Sequence, residues 1–450
     1  MQSSIQTPAD STRKMLRTGP QTAKSLMAAL GASQPTVSRT LQALGDAVVR
    51  LGAARSIQYT LRDPARAALE APIYRVSPAG QLREWGRLVP VCPEGFVLLG
   101  ADGERRHSDG LPWWLFDMRP QGYLGRAYAQ RHGAALGLPE RLSDWQDTHV
   151  MRALLHQGAD LPGDLLVGEV ARVQFVNAPA LAPIALAGKP AAYLEMAAAA
   201  ARGDVAGSSA AGEQPKFTAY AEVEGGEAAH VLVKFTAATP GPVSERWRDL
   251  LLAEHLALHT LHQGGVPAAR SALIDQGGQR FLEVRRFDRT GPLGRHALHS
   301  LAALDAEFAG VGHRWPDVAQ ALERARVITP DAREGACLLW AFGTLIGNTD
   351  MHGGNLSFMG EPPYGVAPAY DMTPMAFAPT AGGDLPERSL DPYIAPQVPA
   401  AVWQRALALA QAYMQRLLAA PGFSPRFGPC IATLQGHVAL AAQRIARLGG

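Results

Sequence analysis

The sequence predicts an α+β chain in three parts: a small basic unit of helices with a β-hairpin, a β-rich lobe and an all-α lobe. Three observations predict it. Helical spacing, tight turns and one alternating stretch fill the first 62 residues. Runs of Val, Leu, Phe and Tyr around Gly-Gly pairs occupy residues 217–235 and 272–284, on either side of a helical stretch. From residue 298 onward the apolar spacing becomes helical in long blocks.

Composition bounds the rest. With 450 residues, 47% apolar and 18% charged, the chain reads as globular and multi-domain. A formal charge of +2 argues against polyanion binding by the whole chain. Residues 1–62, however, carry eight Lys/Arg against Asp10 and Asp46. That local surplus points to nucleic acid or another acidic partner for this part. The three cysteines, Cys92, Cys337 and Cys430, are far apart and unpatterned. They suggest neither a disulfide framework nor a zinc site, and a cytoplasmic protein is expected. The N-terminus has no apolar signal core. The most apolar stretch, Ala178 to Ala201, is interrupted by Pro183, Lys189, Pro190 and Glu195, so no membrane span is expected.

Residues 10–62 read as a DNA-binding unit. Thr22 to Leu30 has Ala23, Leu26, Met27 and Leu30 on one helical face. Gly31-Ala32-Ser33 is a tight turn, with Ser33 as N-cap and Pro35 in the first turn of a second helix reaching Leu44. Val37, Leu41 and Leu44 face inward, leaving Gln34, Thr36, Ser38, Arg39 and Gln42 outward. Short polar and Arg side chains of this kind reach phosphates and base edges in a major groove. Ala47 to Arg50 and Ile57 to Leu61 then form a hairpin around a turn that holds Arg55. The stretch resembles winged helix-turn-helix domains, with double-stranded DNA as the implied partner of residues 1–62 and a homodimer on DNA as an accompanying expectation. A helical hairpin used for protein contacts is the other reading.

Residues 63–92 look like a connector, punctuated by Pro64, Pro72 and Pro78-Ala79-Gly80, in which Tyr74, Val76, Leu82, Trp85, Leu88 and Val89 suggest strands packed on something. Residues 93–135 are Gly- and aromatic-rich and carry no assigned chemistry. Asp147 to Leu155 reads as helix, Leu165 to Phe175 as strand and Ala191 to Ala201 as helix.

Chemistry-bearing residues begin after this point. The segment 203–216 holds Gly203, Gly207 and Gly212 with the adjacent Ser208 and Ser209. A Gly-rich loop between sheet elements presents backbone N–H groups to phosphates, although many such loops only connect. It is not a Walker A motif, since no Gly-Lys-Ser/Thr follows. Lys234 lies within the apolar strand Val231 to Phe235. A Lys there is costly without an anionic partner, for which bound phosphates would serve; an edge-strand Lys kept for solubility is the alternative. Arg246 to His262 is an amphipathic helix, and Glu254 on it could pair with Lys234 or be a surface Glu. Residues 272–284 form two strands around Gly277-Gly278 and lead into Arg285-Arg286-Phe287-Asp288-Arg289, which reads as the hinge of a two-lobed ATP enzyme.

The stretch Gly347-Asn348-Thr349-Asp350-Met351-His352-Gly353-Gly354-Asn355 follows an apolar helix, and Asp371 comes sixteen residues later. An Asp, an Asn five residues on and a second Asp suit a Mg²⁺-dependent phosphoryl transferase. One carboxylate orients the acceptor hydroxyl, while the amide and the other carboxylate hold metal bridging the phosphates. Taken alone, the loop could equally cap the helix before it.

The ordered set of Gly-rich serine loop, Val-Leu-Val-Lys, Arg-Phe-Asp-Arg, Gly-Asn-Thr-Asp-x-His-x-x-Asn and Ala-x-x-Tyr-Asp closely resembles the HipA family of Ser/Thr protein kinases of bacterial toxin–antitoxin systems. The resemblance covers roughly residues 90–440. The fused winged helix resembles a subgroup that carries its DNA-binding domain in the same chain. It implies a two-lobed kinase-like fold: residues 1–62 as DNA-binding domain, 63–92 as connector, 93–288 as N-terminal subdomain and β-rich N-lobe, and 289–450 as all-α C-lobe. It implies ATP and Mg²⁺ as cofactors. Asp350 is implied as the catalytic Asp with His352 beside it, and Asn355 and Asp371 as metal ligands. Lys234 would contact phosphate. Arg286, Phe287 and Asp288 would form the hinge, with Phe287 offering backbone to adenine and Asp288 near the ribose. Gly207 and Gly212 would flank the nucleotide, and Ser209 or its neighbour Ser208 would be autophosphorylated. A protein substrate, such as an aminoacyl-tRNA synthetase or other translation component, is implied. A transcriptional regulator whose kinase-like lobes sense a nucleotide, and a small-molecule phosphotransferase, are the alternatives.

Overall fold

The computed structural model describes residues 7–53, 56–156, 160–202, 214–312, 314–380, 382–385 and 389–449. The N-terminal unit packs three helices, α1 (Pro8–Leu16), α2 (Ala23–Leu30) and α3 (Gln34–Ala43). The strand β1 (Gln21–Thr22) joins β2 (Val48–Leu51) and β3 (Gln58–Leu61) in a sheet of order β1-β3-β2. Thr22 and Ser25 exchange side-chain and backbone bonds at 3.0 Å, a capping box that starts α2. Gly31, at φ +57°, ends it. The unit is the winged helix-turn-helix that the sequence predicts. Helix α1 was not expected: it buries only Thr12 and Leu16, too thin an apolar stripe to read from spacing.

Residues 63–92 do more than connect. They supply β4 (Ala71–Val76) and β5 (Leu82–Pro90), two strands of a five-stranded antiparallel sheet. Its other strands are β6 (Phe96–Gly100), β7 (Arg105–Ser108) and β8 (Leu165–Val167), in the order β7-β6-β5-β4-β8. Strands β4 and β5 are those that Tyr74, Val76, Leu82, Trp85, Leu88 and Val89 suggest, and Pro72 fits in β4 because β8 pairs only with Ile73 to Arg75. The proline therefore sits where its missing N–H has no partner to lose. Helices α4 (Gly122–Leu136) and α5 (Asp147–His156) follow β7, and α5 covers one sheet face through Val150, Met151 and Leu154. The strand expected over Leu165 to Phe175 stops at Val167. Gly168, at φ +82°, turns the chain into α6 (Gly168–Val176). The other sheet face receives the wing: Val49 and Leu51 pack on Val91 and Val97, and Arg105 Nη1 donates to the Arg50 carbonyl at 2.9 Å.

The N-lobe is a four-stranded antiparallel sheet between two helices. Its strands are β9 (Lys216–Glu222), β10 (Ala228–Phe235), β11 (Ser271–Gln276) and β12 (Gln279–Arg285), in the order β11-β12-β10-β9. Alternation along the strands divides the faces. Val231, Val233 and Phe281 pack on α7 (Lys189–Ala201). Leu282 and Val284 face α8 (Pro242–Gln263) through Leu251. Glu283 points to α7, where Lys189 reaches it at 2.7 Å and the Tyr193 hydroxyl at 2.5 Å.

The C-lobe begins with the two-residue strands β13 (Arg289–Thr290) and β14 (Gly294–Arg295). Strand β15 (Leu298–Ser300) leads into α9 (Leu301–Phe308), so the helix expected from Leu298 starts three residues later. Helices α10 (Trp315–Arg324) and α11 (Pro330–Leu345) follow. Strands β16 (Ser357–Met359) and β17 (Gly365–Val366) complete a small sheet with β15 at the base of the cleft. Helices α12 (Ala400–Ala419) and α13 (Gly428–Ala446) close the lobe. Its core, with Trp315, Phe342, Trp403 and Tyr413 buried, is the largest apolar cluster among the described residues. Among those residues no helix is long and apolar enough to cross a membrane.

Candidate active site

Strand alternation puts Leu232 and Lys234 on the α8 face of β10. Glu254 emerges from α8 directly opposite, 1% exposed and one turn from the buried Leu250 and Leu258. The surface role open to Glu254 on sequence is not the one it has. Lys234 Nζ donates to Glu254 Oε1 at 2.7 Å and Oε2 at 2.9 Å, and also to Asp371 Oδ1. Thr373 Oγ1 donates to Glu254 Oε2 at 2.8 Å. Burial opposes the charge on Lys234, but Asp371 and Glu254 outweigh it and raise the ammonium above its usual value. Burial likewise opposes the Asp371 charge, and Lys234 with Lys216 outweighs it, holding that carboxyl low. Glu254 goes the other way: burial raises it beyond what Lys234 restores. Asp371 adopts φ +55°, a left-handed conformation that side chains other than Gly take rarely.

The loop after α11 is held by its own side chains. Gly347, at φ +73°, lets the chain leave the helix. Asn348 is 3% exposed. Its Oδ1 accepts from the Asp350 N–H at 3.0 Å, and its Nδ2 donates to the Asp371 carbonyl at 3.2 Å. Asn355 Nδ2 donates to the Asp350 carbonyl at 2.8 Å. His352 Nδ1 accepts from the Gly354 N–H at 3.0 Å, and its carbonyl accepts from Trp315 Nε1 at 3.0 Å. Gly353 has to be small, since a Cβ there would stand about 3.0 Å from Ala302 backbone atoms. These bonds leave the Asp350 side chain 52% exposed, with His352 Nε2 4.0 Å from its Oδ1. Burial raises the Asp350 carboxyl above its usual value; His352 opposes and Asp371 adds to the rise.

Between the lobes lies a cleft of about 410 Å³. Leu232, Val284 and Phe287 give it an apolar wall, while Lys216, Lys234, Asn355 and Asp371 give it a polar end. Phe287 lies 5.7 Å from the Tyr370 ring, and the Tyr370 hydroxyl donates to the Gly354 carbonyl at 2.7 Å. The cleft therefore has an apolar slot and a charged end with both lysines, as a nucleotide with a phosphate tail requires. Asn355 and Asp371 are hard oxygen donors of the kind Mg²⁺ takes together with phosphate oxygens.

The hinge side chains are occupied. Arg286 donates to Asp288 at 3.0 and 2.9 Å and to Asp160 at 2.5 Å. Arg289 Nη1 reaches Asp288 Oδ2 at 2.7 Å, and the Gly163 N–H reaches the same oxygen at 3.1 Å. Asp288 is 5% exposed; burial opposes its charge, but Arg286 and Arg289 hold its carboxyl well below the usual range. Asp288 and Arg286 thus line the cleft while their charged ends clamp the hinge to the loop that carries Asp160 and Gly163. Asp117, from the segment after β7, likewise reaches into the cleft and accepts from the Ser300 N–H at 2.6 Å.

The structure therefore brings Lys234, Phe287, His352, Asn355 and Asp371 to one cleft, with Asp350 on the same loop. Gly207, Ser208, Ser209, Gly212 and Arg55 lie outside the described residues. On α3, Gln34, Ser38 and Arg39 are exposed, while Thr36 is half-buried with its hydroxyl 3.0 Å from that of Ser33. Sequence reasoning missed Asn348, Lys216, Asp117 and Asp160. Asn348 had a signal, a lone amide at the end of an apolar helix; the others had none, since long-range folding brings them in.

Residues 67–176 match the family "YjjJ-like toxin, middle domain", residues 208–416 the "HipA-like C-terminal domain" and residues 14–47 the "Bacterial regulatory protein, arsR family". Toxin YjjJ of Escherichia coli (strain K12) is 38% identical over 439 residues, spanning 97% of this chain and 99% of that protein. Among solved structures, a chain of the Shewanella oneidensis MR-1 HipA–HipB–operator DNA complex aligns with TM-score 0.48 and 16% identity. That alignment covers 84% of this chain and 96% of that one. The Helicobacter pylori proinflammatory kinase CtkA aligns with TM-score 0.36 and 17% identity, over 52% and 92%.

Proposed function

This chain belongs to the family of HipA-like toxins that includes YjjJ, and we propose that it is an ATP- and Mg²⁺-dependent serine/threonine protein kinase with a fused DNA-binding domain. The observation that carries the reading is the Lys234 ammonium held at once by Glu254 and Asp371, across from the Asp350 loop. A fixed cation beside a metal-binding carboxylate is what positions and neutralises a transferring phosphate.

In this reading Phe287 and Leu232 take the adenine, and Lys234 with Lys216 takes the phosphate tail. Mg²⁺, when bound by Asn355 and Asp371, supplies charge neutralisation at the phosphates. Asp350 accepts the proton of the acceptor hydroxyl, and the burial that raises its carboxyl makes it a stronger base than a free carboxylate. His352 stands next to it. Ser208 or Ser209 is the autophosphorylated residue, and the substrate is a serine or threonine of a protein, with translation components the class to try first. The division into a DNA-binding unit over residues 1–62, an N-lobe ending at residue 288 and a C-lobe from 289 belongs to the same proposal. Residues 1–62 bind duplex DNA through α3.

The test is phosphoproteomics of cells expressing wild type against Asp350→Asn, with transfer from γ-labelled ATP by the purified proteins. Equal labelling by both proteins sinks the assignment of the base. A second reading, a DNA-bound nucleotide sensor, is favoured by one observation: the wing is packed on the same sheet whose strand β8 is entered through the loop, carrying Asp160, that holds Arg286. Nucleotide binding that changes DNA affinity without phosphate transfer would mark that case.

A further inference from the structure

The cleft has a third wall, supplied by the chain between β7 and α4. There a short 3₁₀ helix, Trp113–Met118, leads through Gln121 into α4. Trp114, Leu115 and Met118 are buried in the core beneath the five-stranded sheet. Trp113 packs on the C-lobe, its ring 4.8 Å from His299 and 5.2 Å from Phe308. The segment is thus anchored to both bodies, and Phe116, Asp117 and Gln121 are the side chains it brings to the cleft.

The contacts of Asp117 place it within the cleft. Its Oδ2 accepts from the Ser300 N–H at 2.6 Å, and Ser300 caps α9 by accepting from the Ala303 N–H at 3.1 Å. Ala302, in the first turn of that helix, lies close against Gly353 of the Asp350 loop. Tyr370 is near as well. Burial raises its phenol against the Ser357 bond, and the charges of Asp117 and Asp371 add to the rise. The Tyr370 ring stands 5.7 Å from Phe287, and its hydroxyl donates to the Gly354 carbonyl at 2.7 Å. Asp117 therefore stands beside the residue that links the apolar slot to the Asp350 loop. A ribose joins base to phosphates, so a nucleotide with its base in the slot carries its sugar past this point.

Four carboxylates line the cleft: Asp117, Glu254, Asp288 and Asp371. Lys234 holds Glu254 and Asp371 at the phosphate end. Asp288 already accepts four bonds, from Arg286 at 3.0 and 2.9 Å, Arg289 at 2.7 Å and the Gly163 N–H at 3.1 Å. That fills the acceptor capacity of a carboxylate.

We propose that Asp117 receives the ribose hydroxyls of the bound nucleotide, an assignment that rests on the nucleotide reading of the cleft. A carboxylate takes sugar hydroxyls through charge-assisted O–H···O bonds, as an Asp or Glu does at the ribose in dinucleotide-binding folds. The bond from Ser300 fixes where the group stands. The β7–α4 segment then completes a site that the two lobes leave open at the sugar.

The test uses the full chain and ADP, which has no γ-phosphate to transfer. ADP and 2′,3′-dideoxy-ADP are titrated with Mg²⁺ by calorimetry into wild type and Asp117→Asn. Asparagine keeps an acceptor oxygen for the Ser300 N–H, so the fold should survive, and an unchanged melting temperature checks this. Wild type should bind ADP roughly tenfold more tightly than the dideoxy analogue, the worth of one charge-assisted bond. In Asp117→Asn that preference should vanish, while the analogue binds as it does to wild type. Equal affinities in wild type, or an unaltered preference in the variant, overturn the assignment. So does an equal loss for both nucleotides, which marks a merely structural role. Should the variant melt early, crystals of wild type with ADP decide: ribose hydroxyls on Asp117 support the assignment, and hydroxyls bonded elsewhere overturn it. Wild type that binds neither nucleotide removes the nucleotide reading itself, and the assignment with it.

Discussion

Lys234 and Glu254 meet through both carboxylate oxygens at 2.7 and 2.9 Å, buried between β10 and α8, while the same ammonium touches Asp371 of the other lobe. One cation thus joins the two lobes at the point where phosphate would lie. Glu254→Ala leaves it with a single, more exposed partner. The expected cost is about 3–5 kcal/mol of stability, as for other broken buried pairs, along with loss of phosphate transfer. Urea denaturation and a transfer assay check both.

Asp350 is half exposed, and its side chain meets Asn355 and His352 of its own loop. Asp350→Asn should therefore leave the melting temperature unchanged and lower transfer from γ-labelled ATP by roughly 10²–10⁴-fold, the usual contribution of a positioned base.

Because burial raises the Asp350 carboxyl above 3.8, transfer should fall as the pH drops through that raised value. His352 opposes the rise, so removing it has a definite sign. In His352→Ala the acidic limb of the kcat/KM profile should move to higher pH. A limb that stays put would remove His352 from any electrostatic role toward Asp350.

Asp288→Asn strips a shared partner from Arg286 and Arg289, side chains 8% and 3% exposed. It should cost about 3–5 kcal/mol at neutral pH. The folded carboxyl is depressed relative to the unfolded one, so its contribution is complete above about pH 4 and disappears as the pH falls toward the folded value. The gap between wild type and variant, measured by denaturation at pH 7 and pH 3, should therefore narrow in acid.

Arg39→Ala, on the exposed face of α3, should weaken duplex binding by the full chain and make the log–log salt slope less negative by roughly 1, one phosphate contact. An unchanged slope would place the DNA path elsewhere.

Much of the site was legible along the chain because its parts are local. Asp350, His352 and Asn355 share one loop, and Gly353 there lies close against the Ala302 backbone. The winged helix was legible through its cap, its turn and its alternating hairpin. Strands β4 and β5 were half legible: Tyr74, Val76, Leu82, Trp85, Leu88 and Val89 suggest strands, but the prolines made the segment read as a connector and not as part of a five-stranded sheet. The run Leu165 to Phe175 reads as strand along the sequence, and Gly168 overturns that beyond Val167 by turning the backbone into α6.

By itself, then, the sequence determined the order of the parts and the residues of the candidate site, since motif spacing is a property of the chain. Only the tertiary structure decided their partners. Glu254 became the partner of Lys234 because strand alternation and helical rotation aim both into one dry layer. Asp288 became a clamp because Gly163 and Arg289, 125 residues away and adjacent, converge on the same oxygen. The wing became part of the body because Val49 and Leu51 found a second apolar surface on the neighbouring sheet. Such pairings depend on which surfaces meet at low dielectric, and spacing along a chain does not encode that.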